Sequence, residues 1–372
     1  MIQKNAILSF PAVNESIVPL AFLGDEINPE TNAVILAGDV GGTKTSLLLV
    51  QIADAQLRVI SEKSYRTREY QSLVHLVRSF LDKGSPGIDG ICLGVAGPVD
   101  EGKVKGTNFP WEISTDEIRR ELHCASALLM NDLEANAYGL AALQSKDFEI
   151  LKSGANKAGN AAVLSAGTGL GEAGLYWDGA RYHPFATEGG HCDFSPRTDL
   201  DVALWRYLQK KFGHVSWERV LSGPGISDMS DFLRLYRGLT APKWLREELL
   251  KDDPAKVITE AALERKDPVC VETLDLFVRF LAVEAAQLAL KTKATGGIYM
   301  GGGIIPKILN RFDRDLFCKN FVQVGRLNPL LEKVPVRVVL NEKTALLGAT
   351  FYGATAYQNE LRRKDGSARR CS

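Results

Sequence analysis

Three glycine-rich turns and a set of carboxylates, amides and imidazoles carry the residue types that can do chemistry in this chain. The first turn, Asp39-Val-Gly-Gly-Thr-Lys-Thr45, lacks the G-x-x-x-x-G-K-[ST] spacing of a P-loop, and Ser46 to Val50 after it read as a strand. What remains is a β-hairpin. Gly41 and Gly42 let backbone N–H groups approach an anion, with the hydroxyls of Thr43 and Thr45 and the charge of Lys44 nearby. Asp39 is placed to hold a hydrated Mg²⁺. A tight type I′ hairpin fits the same string.

The second turn, Gly167-Thr168-Gly169, lies in Ser165-Ala-Gly-Thr-Gly-Leu-Gly171, whose GxGxG spacing followed by a strand disfavours a dinucleotide fingerprint. Two Gly/Thr hairpins at corresponding places in two halves make a clamp for the phosphates of a nucleotide. The third cluster, Gly301, Gly302 and Gly303, sits between a strand and a helix with Pro306 near its first turn. Bare backbone there admits a flat adenine or a ribose; close helix–strand packing is the alternative.

Asp132 follows the buried strand Ala127 to Met130, at the strand end where open α/β sheets place ligands. There it can serve as a base, or simply cap the next helix. Asn131 precedes it. Glu188 and His191 share one Gly-rich loop, and Glu218 follows in His214-Val-Ser-Trp-Glu-Arg219. Carboxylates accept from vicinal hydroxyls while Asn and neutral His both donate and accept, so together they suit a polyol. A structural role for His191 stays open, and no second Cys/His cluster completes a zinc site with His191, Cys192 and Asp193.

These residues need two α/β halves to position them, because strand, Gly-rich turn and strand occur twice. The expected organisation is an N-terminal arm over 1–32, a small domain of 33–142 with 341–358, a large domain of 143–340, and a polar tail over 359–372. A helix is expected from Thr115 behind a Ser114-x-x-Glu117 capping box, and a longer one over 269–292.

Lys+Arg and Asp+Glu balance at 45 each, so no global field favours nucleic acid or an anionic membrane. No stretch approaches the ~20 apolar residues of a membrane helix. The six cysteines are widely spaced, without CxxC pairs, and read as reduced cytoplasmic thiols.

The strings DVGGTKT, GVAGPV, TNFPW, MNDLEA, SAGTGLG, EGGHCDF, ERVLSGPG and MGGGI occur in the order seen in bacterial glucokinases, which the chain resembles over roughly residues 33–357. The resemblance implies the RNase H-like, actin-like sugar-kinase fold, two α/β domains with an active-site cleft between them. It implies ATP with Mg²⁺ as phosphoryl donor and the 6-hydroxyl of glucose as acceptor, in a homodimer. Asp132 falls on the family's catalytic aspartate. Asn108, Asn131, Asp132, Glu188, His191 and Glu218 fall on sugar-contacting positions, Asp39 to Thr45 and Ser165 to Gly171 on phosphate segments, and Gly301 to Gly303 on the adenosine region. The cysteine-rich zinc motif of the ROK glucokinases is missing. A kinase for another hexose, or a silent sugar sensor on the same fold, is the alternative.

Overall fold

The computed structural model describes residues 2–11, 16–22, 28–81, 84–105, 111–155 and 157–370, the last six by backbone alone. They divide into two compact units: the first is Met1–Asp147, Ala180–Ala186 and Lys343–Ser372, the second Phe148–Gly179 and Thr187–Glu342.

The first unit holds strands β1 (Ile7–Ser9), β2 (Ala33–Val40), β3 (Lys44–Ala53), β4 (Gln56–Arg66), β5 (Gly90–Val95) and β8 (Ser126–Asn131), in the order β1-β4-β3-β2-β5-β8. A separate short ribbon joins β6 (Lys103–Lys105) to β7 (Glu112–Ser114). Its helices are α1 (Leu73–Phe80), α2 (Thr115–Leu122), α3 (Asp132–Gly139) and α12 (Thr344–Arg370). Strands β2, β5 and β8 run parallel, and β5 is buried along its whole length, as expected for strands covered on both faces. Register places Val40, Val95 and Asn131 side by side at the carboxyl ends of these three strands. The Gly41–Thr43 turn and Asp132 therefore leave the sheet at one edge, two strands or roughly 10 Å apart.

Helix α3, which begins at Asp132, is fixed by close contact with α12. A Cβ on Gly348 would lie 1.8 Å from the Ala135 carbonyl oxygen, and one on Gly139 would lie 1.9 Å from that of Thr344. Only two glycines let these backbones approach so closely.

The second unit contains β9 (Phe148–Lys152), β10 (Ala161–Ala166), β11 (Leu170–Trp177), β13 (Gly297–Gly301) and β14 (Val336–Val339), ordered β11-β10-β13-β14-β9. Strand β12 (Tyr182–Thr187) lies mostly in the first unit, where Tyr182 bridges Leu20. Eight helices complete the second unit: α4 (Asp199–Phe212), α5 (Gly223–Arg237), α6 (Lys243–Leu249), α7 (Pro254–Leu263), α8 (Pro268–Thr292), α9 (Ile305–Ile308), α10 (Arg314–Val322) and α11 (Asn328–Leu331). Helix α8 is apolar on most sides and runs through the core, with Phe277, Phe280 and Leu281 inaccessible to solvent or nearly so; each such side chain contributes about 1.5–3 kcal/mol of burial. Both sheets pair an antiparallel hairpin with two further parallel strands, so the duplication read from the two hairpins is present in the fold.

The arm, left unassigned by the sequence, docks on the first unit: β1 pairs with β4, Val18 and Leu20 are buried, and Phe10 packs edge-on against Phe351. Two local expectations change. The polar stretch from Asn359, expected as a tail, continues α12 to Arg370, because its Lys, Arg, Glu and Leu residues are good helix formers. Ser114 precedes α2 but its side chain makes no capping bond; the closed capping box lies instead at Thr198 and Asp201, opening α4.

Candidate active site

In the first unit the cap at the start of α3 belongs to Asn131. Its Oδ1 accepts from the N–H groups of Leu133 at 2.8 Å and Glu134 at 3.4 Å, while Nδ2 donates to the Gly97 carbonyl at 3.2 Å. One amide proton of Asn131 remains for a ligand. Asp132 is the first helical residue, partly exposed, with Oδ1 accepting from Leu133 N–H at 3.0 Å. The helix-cap explanation of Asp132 is thereby displaced onto its neighbour.

The hairpin between β2 and β3 is not a type I′ turn, since neither Gly41 nor Gly42 takes a positive φ. Thr43 and Lys44 are exposed at its tip. Thr45, expected to offer its hydroxyl to a phosphate, is fully buried instead: its Oγ1 lies 2.9 Å from Thr67 Oγ1, which donates to the Gly41 carbonyl at 2.7 Å. Thr45 shapes the turn from beneath. Asp39 is partly buried, and desolvation pushes its carboxyl up to about 6 against the pull of Lys44. A half-buried carboxylate, made of hard oxygen donors, fits a divalent cation that arrives with its waters and a nucleotide.

In the second unit two glycine turns adjoin. Ser165 of β10 is level with Gly301 of β13, so Gly167–Gly169 and Gly301–Gly303 leave neighbouring strands together. Gly302, at φ +91°, presses its backbone on Ala166, where a Cβ would fall 2.2 Å from the carbonyl oxygen. Gly301 and Gly303 have open space at their Cβ positions, so close packing accounts for one glycine of the three. The sequence reading gave no role to Ser222-Gly223-Pro224-Gly225. Ser222 caps α5, and Gly223 N–H donates to the Gly167 carbonyl at 2.9 Å, so this helix start braces the turn. The serine cap followed by proline was the available signal.

Glu188, His191 and Glu218 come together. His191 Nδ1 lies 3.7 Å from Glu188 Oε2, and Nε2 lies 3.9 Å from Glu218 Oε1. Their two loops pair as a short ribbon: Trp217 N–H donates to the Cys192 carbonyl and Phe194 N–H to that of Val215, both at 2.9 Å. The buried rings of Phe194 and Trp217 stand edge to face 5.0 Å apart, and Phe194 meets Phe280 of α8 at 4.9 Å. Polar tips thus project from an anchored aromatic base. Glu218 also reaches the Gly167–Gly169 turn, accepting from Leu170 N–H at 3.0 Å. Asn108 lies outside the described residues.

A family model described as Glucokinase matches residues 36–356. A glucokinase from Nostoc punctiforme is 39% identical over 337 residues, which is 86% of this chain and 99% of the relative. A glucokinase crystal structure from an Antarctic psychrotroph superposes with a TM-score of 0.70 at 32% identity, covering 86% of this chain and 98% of the other. A ROK family glucokinase from Streptomyces griseus, in complex with glucose and AMPPNP, shares the fold at a TM-score of 0.59 and 20% identity, covering 86% and 99%.

Proposed function

The chain belongs to the glucokinase family, and on that premise we propose that Asp132 accepts the proton of the glucose 6-hydroxyl as the γ-phosphoryl group of ATP is transferred. The activity is that of a glucokinase, with glucose and ATP as substrates. Phosphoryl transfer asks a protein chiefly for alignment and for charge stabilisation, not for covalent chemistry.

The assignments divide by unit. In the first, Asp132 orients the primary hydroxyl and takes its proton late, Asn131 offers one N–H to the sugar, and the exposed backbone and Lys44 at the β2–β3 turn meet phosphate oxygens. In the second, Glu188, His191 and Glu218 pair sugar hydroxyls, Gly167, Thr168 and Gly169 meet phosphates, and Gly301 and Gly303 leave room for the adenosine. Asp39 would hold Mg²⁺ through water; when bound, the ion supplies positive charge to the transferring phosphoryl oxygens.

The observation that carries the base assignment is the capping of α3 by Asn131, which leaves Asp132 without that structural duty. Asp132→Asn therefore keeps the cap and the side-chain size while removing the base. The expected result is a fall in kcat of about 10²-fold or more, with glucose binding and melting temperature close to wild type. A folded variant that keeps more than about a tenth of its turnover contradicts the general-base magnitude.

A further inference from the structure

Beneath the Glu188–His191 loop lies a pair of acids that the reaction does not use. Glu172 of β11 is 2% exposed and Glu284 of α8 is 0% exposed. The two carboxyl groups interact with each other inside the fold. Two buried carboxylates repel each other and have no proton to share, so the pair is best satisfied when one carboxylic acid donates to one carboxylate. Glu172 Oε1 and Glu284 Oε2 are buried and receive no hydrogen bond from an N–H or hydroxyl among the described residues, which leaves a shared proton as their means of satisfaction.

The loop rests directly on this pair. A Cβ at Gly189 would lie 2.0 Å from Glu172 Oε2, so the glycine is needed where the loop passes over the carboxyl group. Thr187 Oγ1 donates to the Glu172 carbonyl at 2.9 Å and accepts from Gly189 N–H at 3.2 Å, tying the same two segments through their backbones. The charges facing the pair are few. Lys291, one face along α8, reaches Glu284 Oε1 at 3.3 Å, and Arg197, before α4, feels Glu284 while it neighbours the Arg279–Asp201 ion pair.

We propose that Glu172 and Glu284 are positioning residues: a proton shared between them holds the Glu188–His191 loop in place for the sugar. The inference rests on the assignment of that loop to glucose. Burial raises both carboxyl groups above their ordinary range, Glu284 further because of the charge on Glu172. The ordered loop keeps a proton that a displaced, hydrated pair would release. Order is therefore favoured at low pH and is lost progressively as pH climbs from the ordinary carboxylate range toward the raised value, levelling beyond it.

The test is to measure the KM for glucose, the KM for ATP and kcat from about pH 7 to about pH 10, for wild type, Glu284→Gln and Glu172→Gln. In wild type the glucose KM rises with pH, by up to about tenfold per pH unit for one linked proton, while the ATP KM stays level. In either glutamine variant an amide N–H donates to the remaining carboxylate, and the rise disappears. A wild-type glucose KM that is flat over this range overturns the inference, and does so even if neither variant folds. So does a variant that retains the wild-type slope. Glu188→Gln at about pH 7 keeps the two readings apart: an unchanged glucose affinity removes the loop from the sugar site. A weakened affinity beside an unaltered Glu284→Gln profile removes the acid pair alone.

Discussion

The two glycine hairpins look alike in sequence but are supported differently. The β2–β3 turn is held by its own surroundings, through hydroxyl contacts from Thr45 to Thr67 and on to Gly41 within one sheet. The β10–β11 turn is held by segments distant in the chain: Gly223 at the start of α5, Gly302 after β13, and Glu218 beside the Cys192–Trp217 ribbon. The contacts that brace the first turn stay within the β2–β3 hairpin and the residue after β4. Those of the second are not so confined, because Glu218 touches both that turn and the cluster around His191.

The strongest way to break this comparison is Gly302→Ala. The methyl group would meet backbone atoms of Ala166, and φ is unfavourable for any L side chain, at a cost of about 1–3 kcal/mol. A raised ATP KM together with a lower melting temperature is expected; a variant with wild-type values for both would show that the turn does not depend on its distant brace. Gly169→Ala is the sharper probe. Its Cβ would come within 2.4 Å of Glu218 Oε2, displacing a carboxylate, so a change in the nucleotide turn should raise the glucose KM by about 1 kcal/mol or more in binding. If only the ATP KM moves, the two functions are not linked through Glu218. The smallest effect is expected for Thr45→Val, which removes one hydroxyl of a buried pair and should lower stability by about 1 kcal/mol, with the ATP KM unchanged. A clear rise in that KM would return Thr45 to the phosphate contacts and erase the distinction between the hairpins.

How much of this was legible depended on how local each signal was. Both hairpins, the strand leading to Asp132 and the carboxylates around His191 were readable because glycine spacing and strand pattern act over a few residues. The facing of Thr45 was not: β3 is buried at Ser46 and Leu48 as well as at Leu47 and Leu49, so alternation carried no inside or outside label. Asn131 and Asp132 are about equally good caps, so composition could not decide between them. The docked arm escaped notice because a three-residue strand has no period of its own and forms only where β4 presents an edge. Glu172 and Glu284 meet only through tertiary structure, β11 against α8, and nothing local in either segment announces the other.

The contact between α3 and α12 bears on how the enzyme matures. Gly139 and Gly348 meet across that contact, yet α12 is made after the whole second unit, whose segments all precede Lys343. During synthesis from the N-terminus the second unit has its full complement of strands and helices first. The helix that begins with Asp132 must wait for its partner until the residues from Thr344 onward have emerged. A nascent chain halted before Thr344 would carry the cluster of Glu188, His191 and Glu218 on a completed scaffold while α3 lacked its packing partner, so with Asp132 as the proposed base, phosphorylation would wait for α12.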